Sequence, residues 1–174
     1  MEGKKRTKII IRVLLTTLTA AFVAWIFSNS LQVAVESAEQ SDSFTQMVQN
    51  FFKIIAPNSF IATATGADFD RLEAVVRTLA HFCEFALLGA LAFWTYRAYT
   101  PKKIWMIAPF VGGALVAVID EILQYFTPGR AFQITDVLVD CAGVCAGCLF
   151  ALATVAIALR ISKKRKEKRR VTYE

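Results

Sequence analysis

The stretch 117–140, AVIDEILQYFTPGRAFQITDVLVD, sets Asp120, Glu121, Gln124, Arg130, Asp136 and Asp140 between two otherwise apolar runs. A second polar island, LAHFCEF, carries His81 and Glu84, with Arg77 one helical turn earlier. Ionisable side chains within or at the end of a membrane segment are costly and are kept for function or for holding a partner. Glu84, Asp120, Glu121, Asp136 and Asp140 stand against Arg130, Arg77 and His81. Full ionisation at low dielectric would build strong repulsion, so some of these carboxyls must be protonated, paired or metal-bound. Such a set could hold a divalent cation, or work as acid and base on a lipid-linked substrate. On an enzymatic reading His81, Glu84, Asp120 and Glu121 are the catalytic group, while Gln124, Arg130, Asp136, Asp140 and Arg77 bind substrate. Arg130 follows Thr127, Pro128 and Gly129 in a tight turn that would keep its guanidinium over the site. There it could pair with Asp136 or meet a phosphate. The residue types do not choose between these options, and they single out no particular metal or cofactor.

Such a site needs elements that bring its residues to one depth. The chain has 174 residues, of which 56% are hydrophobic, and a mean hydropathy of +0.47, too apolar for an ordinary soluble domain of this length. Four windows are long enough to cross a hydrocarbon core as helices: Ile9 to Phe27, Leu79 to Tyr96, Ile104 to Phe126 and Val137 to Ile161. The expected fold is all-α, a single membrane domain over 1–174 with four transmembrane helices. A net charge of +6 does not point to nucleic acid, because the basic residues cluster at span ends: Lys4, Lys5, Arg6 and Lys8, then Arg97, Lys102 and Lys103, then KKRKEKRR after Ser162. With both termini cytoplasmic these clusters share one side, as the positive-inside rule requires. The opposite loops hold only Lys53, Arg71, Arg77 and Arg130. The basic tail could also attract anionic headgroups. A basic start followed by an apolar run also suits a cleaved signal peptide. This run is longer than the usual ~7–15 residues and no good cleavage site follows, so it reads as a signal anchor.

The external segment 28–78 is patterned. Phe44, Met47, Val48, Phe51, Phe52 and Ile55 recur at helical spacing, predicting an amphipathic helix capped by Ser41, Asp42 or Ser43 and stopped at Pro57–Asn58. It could lie in the outer interface or roof the bundle. After a loop at ATATGAD, Asp70 and Glu73 make a capping-box-like start to a helix running into the second span. Arg71 and Arg77 then lie near the outer surface, either meeting an anionic headgroup or simply reaching for water.

His81 and Glu84 share a face at the outer end of the second span. Gly113, Ala117, Asp120 and Gln124 share one on the third, and Asp136, Asp140, Gly143 and Gly147 one on the fourth. Small residues let helices approach closely, within one chain or between two copies of it. A single membrane His or Asp is often only a strut between helices; convergence of three helices at one depth argues for a site. Proton or ion transport would need polar groups continuing inward, yet no charged residue lies between Glu84 and Arg97. The chain has no phosphate-cradling glycine loop, HExxH or GxSxG. The serines at 28, 30, 37, 41 and 43 suit capping better than nucleophilic attack. Cys83, Cys141, Cys145 and Cys148 lie in the spans without paired CxxC spacing, which suits packing rather than a metal or a disulfide.

The exit IFSNSLQ with ESAEQSDSF after it, the block R..AHF.EFALLG, and DEILQYFTPGRAFQITDVLVDCAG together resemble the VanZ-like family of bacterial membrane proteins. The likeness covers most of the chain outside residues 51–65 and departs at Phe85, where a Tyr is expected. The resemblance implies a multi-pass protein of the bacterial plasma membrane associated with reduced teicoplanin susceptibility. Its partners would be membrane lipids or lipid-linked envelope components. An old phosphotransbutyrylase label within that family finds no support in these residues.

Overall fold

The computed structural model describes residues 2–100 and 107–171. Among them the regular elements are helices: α1 (Glu2–Ser30), α2 (Ala34–Ile55), α3 (Phe60–Thr63), α4 (Ala67–Tyr99), α5 (Ala108–Tyr125) and α6 (Ile134–Val171). Helices α1, α4, α5 and α6 are each long and apolar enough to cross a membrane, and the protein is a multi-pass helical membrane protein. The expected start of the third span at Ile104, with Lys102 and Lys103, lies outside the described residues; α5 begins at Ala108 with Pro109 in its first turn, where proline costs no hydrogen bond. Helix α6 starts three residues before the expected span and continues through the basic segment.

Helices α4 and α5 form the middle of the bundle, with α1 packed on one side of the pair and α6 on the other. The α4–α6 contact is the closest. A β-carbon on Gly143 would overlap the Phe82 carbonyl, one on Gly147 the Ala86 carbonyl, and one on Gly89 the Val144 carbonyl. The GxxxG pair therefore closes within the chain. Cys148 packs in the same seam, its thiol reaching the Gly89 carbonyl (3.5 Å), and all four cysteines are free. Ile26, Phe85, Leu88, Phe93, Ala117, Val144 and Ala151 complete the core. Phe85 is buried in this apolar cluster, where a phenol would have little polar company. Ile9, Leu14, Leu18, Leu115, Leu149 and Leu159 are exposed, as lipid-facing residues are. At the end of the bundle away from the polar cluster, Arg12 donates to the Ala98 carbonyl (2.9 Å), and Thr19 meets Thr95 (2.8 Å).

Two helix starts differ from the sequence expectation. Helix α2 begins at Ala34 rather than near Ser43, because AVESAEQSDS holds no Pro or Gly to break it and the Ala34 amide donates to the Pro128 carbonyl (3.2 Å). Gly129 turns there with φ of 79° and lies against Ala34. Helix α4 begins at Ala67 rather than Asp70. Gly66, with φ of 54°, provides the left-handed turn, leaving Asp70 and Glu73 inside the first helical turns. Helix α2 presents a polar side inward. Phe44, Met47, Phe51 and Ile55 are exposed, whereas Thr45 and Gln49 are buried. Its polar stripe faces the bundle, with Gln49 donating to the Ala64 carbonyl (2.8 Å).

Candidate functional site

Four elements converge at one end of the bundle. The last turn of α1 brings Ser30, and the first half of α4 brings Arg77, His81 and Glu84. The end of α5 brings Asp120 and Gln124, and the tight turn after it brings Arg130. With α2 across them they enclose a cavity of about 410 Å³, whose lining also includes Trp25, Asn29, Ser37, Gln40, Ser41 and Phe44.

The polar side chains form a directed chain. Arg130 donates to Gln124 Oε1 (2.7 Å), which leaves the Gln124 amide nitrogen to donate to Asp120 Oδ2 (2.7 Å). Ser30 Oγ donates to Asp120 Oδ1, with the Ile26 carbonyl as the other acceptor in reach (3.0 Å). Thr127 Oγ1 donates to the Ser30 carbonyl (3.0 Å), tying the end of α1 to the end of α5. Asp120 is thus held from both sides, and its orientation is set by neighbours on two other elements.

Next to the cavity, His81 Nδ1 lies 3.7 Å from Asp140 Oδ1, within ion-pair range but too far for a hydrogen bond. Asp140 is 1% exposed, and neither of its oxygens has a hydrogen-bond partner among the described residues; Glu84 Oε1 is likewise buried without one. Ligand atoms of His81, Asp120 and Asp140 all fall within 4.8 Å of one another. At the other rim stand Arg77 and Arg130. Burial, then repulsion from Arg77, lowers the Arg130 guanidinium from its ordinary value, while Asp120, Glu121 and Asp136 act against the shift. It stays charged, and an anion between the two arginines would relieve both effects.

Of the residues singled out from sequence, the cavity therefore gathers Arg77, His81, Glu84, Asp120, Gln124 and Arg130, with Asp140 buried beside His81. The other two lie elsewhere. Glu121 is fully buried and turns toward α6, accepting the Gln133 amide (2.5 Å). This sets a carboxylate at the positive end of that helix. Asp136 lines a smaller cavity of about 160 Å³ with Arg77, His81 and Gln133. Sequence reasoning passed over Ser30, which it read as a cap, and the inward stripe Ser37, Ser41, Thr45 and Gln49. The signal for the stripe was present: polar residues recur every fourth position along α2, so that they share one face.

The family model described as VanZ/LLP1 matches residues 14–157, most of the chain and all of the site, and the protein belongs to this family. No curated protein and no solved structure matches it.

Proposed function

For this VanZ/LLP1 family member, we propose that the cavity engages the anionic headgroup of a cell-envelope lipid or glycolipid and thereby lowers susceptibility to teicoplanin, a glycopeptide with a lipid tail. The observation that carries this reading is the pairing of Arg77 and Arg130 on one cavity. Among the described residues Arg77 has no ion-pair partner, and Arg130 is held by a neutral amide rather than by a carboxylate. Two guanidiniums left without carboxylate partners suit phosphate, which accepts their paired N–H donors. Trp25 and Phe44 on the same lining offer apolar surface to the first carbons of a tail. The basic clusters favour both termini in the cytoplasm of a bacterial plasma membrane, so the cavity belongs to the outer leaflet.

The test is expression of wild type and Arg130→Ala at matched membrane levels in a glycopeptide-sensitive Gram-positive host, with teicoplanin and vancomycin inhibitory concentrations measured. The wild type raises the teicoplanin value and the variant does not. No rise with well-inserted wild type would sink the antibiotic part of the reading. Native mass spectrometry of the purified chain with anionic against zwitterionic phospholipid tests the lipid part separately.

A second reading is favoured by the juxtaposition of His81, Asp120 and Asp140: a membrane-embedded hydrolase or transferase acting on an outer-leaflet or lipid-linked substrate. Altered lipid profiles in overexpressing cells, lost with His81→Ala, would support it; unchanged profiles count against it.

A further inference from the structure

The edge of the cavity carries a chemistry of its own. His81, Asp120 and Asp140 come from three different helices, α4, α5 and α6, and present one nitrogen and two carboxylate oxygens within 4.8 Å of one another. Divalent first-row ions bind such donors at about 2.0–2.2 Å, so ligands at the tetrahedral angle stand about 3.3–3.6 Å apart. Side-chain rotations that draw the widest pair in by about 1 Å bring the three donors to that spacing.

An acidic cluster alone would carry little, since carboxylates often gather without an ion. Here the state of Asp140 adds an independent pointer. It is 1% exposed, and both of its oxygens lack a hydrogen-bond partner while Oδ1 faces His81 Nδ1. A buried carboxylate with no donor is expensive. Asp120 differs in having Ser30 and Gln124 to orient it, as the outer neighbours of a metal ligand do. A protonated His81 would supply a single positive charge against Asp140, Asp120 and the nearby Glu84. A divalent ion would supply more and would engage the oxygens directly.

We propose that His81, Asp120 and Asp140 bind one divalent first-row cation, Zn²⁺ or Mn²⁺, at the edge of this cavity. One imidazole and two carboxylates suit these ions. Three protein ligands leave coordination positions open, and two of these ligands, His81 and Asp120, line the space that Arg77 and Arg130 border. An anionic oxygen drawn in by the arginines would arrive at the metal's open face. Glu84, on the same lining, is close enough to feel the ion's charge without being needed as a ligand.

The proposal stands apart from the headgroup reading and is tested on the full chain purified in detergent. After chelator treatment the protein is titrated with Mn²⁺, followed by the loss of the free-ion electron paramagnetic resonance signal, and separately with Zn²⁺, followed by metal analysis after desalting. About one equivalent per chain is expected, with Asp140→Asn and His81→Ala each weakening Mn²⁺ binding at least tenfold and Lys53→Ala, at an exposed residue outside the cavity lining, leaving it unchanged. A monodisperse, helical wild type that takes up neither ion overturns the proposal, as does full retention of binding in Asp140→Asn. If Asp140→Asn fails to fold, the wild-type titration still decides, and a metal-dependent rise in wild-type melting temperature is the second readout. Metal uptake without binding of anionic lipid would refute only the headgroup reading, and lipid binding without metal only this one.

Discussion

Asp120 and Asp140 are equally buried at one end of the same bundle, yet Asp120 receives donors from Ser30 and Gln124 whereas Asp140 receives none. That asymmetry separates a carboxylate held in place by its neighbours from one whose two oxygens have no donor among the described residues. Ser30→Ala removes a donor from a buried carboxylate, and a loss of about 1–3 kcal/mol in stability is expected, readable as a lower melting temperature in detergent. Glu121 belongs with the organising residues. In Glu121→Ala the Gln133 amide loses its acceptor at the start of α6, and a penalty of similar size is expected, whereas Glu121→Gln keeps an acceptor and recovers part of it. Headgroup and metal binding per folded molecule should change little in either variant. A selective loss of binding at unchanged stability would return Glu121 to the site.

At the scale of elements, the α4–α6 seam decides whether the site exists. His81 and Asp140 face each other because Gly143 and Gly147 allow the backbone of α6 to ride on the carbonyls of Phe82 and Ala86. Gly147→Ala forces these helices apart and should cost about 1–3 kcal/mol. Gly112→Ala in α5, where a β-carbon meets nothing within 4 Å, should be neutral or slightly stabilising. Equal melting temperatures for the two variants would contradict this packing. Helix α2 is the other decisive element. With Thr45 and Gln49 turned inward and Met47 and Phe51 exposed, it closes the cavity with its polar side and offers its apolar side to lipid. A spin label at Met47→Cys in bilayers should be more accessible to oxygen than to a water-soluble relaxation agent. The reverse order would mean that this face does not rest against the membrane.

The whole molecule has two unlike ends. The polar cavity lies where α1 and α5 finish and α4 and α6 begin, and among the described residues Lys5, Arg6, Lys8, Arg97, Lys163 and Lys164 lie toward the other end. If the positive-inside rule holds for this chain, Asn58→Cys, built into a cysteine-free background, reacts with a membrane-impermeant thiol reagent in intact cells. Lys163→Cys in the same background reacts only after permeabilisation. The opposite pattern would place the cavity in the cytoplasmic leaflet and sink any role in meeting an extracellular glycopeptide.

Much of this architecture was legible in the residues. Crossing helices announce themselves because lipid tolerates nothing but long apolar runs whose backbone bonds are met internally, and polar residues within such runs stand out against that background. Asp120, Gln124 and Asp140 could therefore be placed at one depth from helical spacing alone. Tertiary structure decided what spacing cannot express. Rotation of each helix about its axis sent Glu121 toward α6 and Asp120 toward Ser30, though the two are neighbours in the chain. The inward turn of α2 reversed the side a soluble amphipathic helix would bury, because its surroundings pair a polar cavity on one side with exposed apolar surface on the other. The sequence determined which residues share a depth; the packing of helices, set by glycine against carbonyl, decided which of them meet.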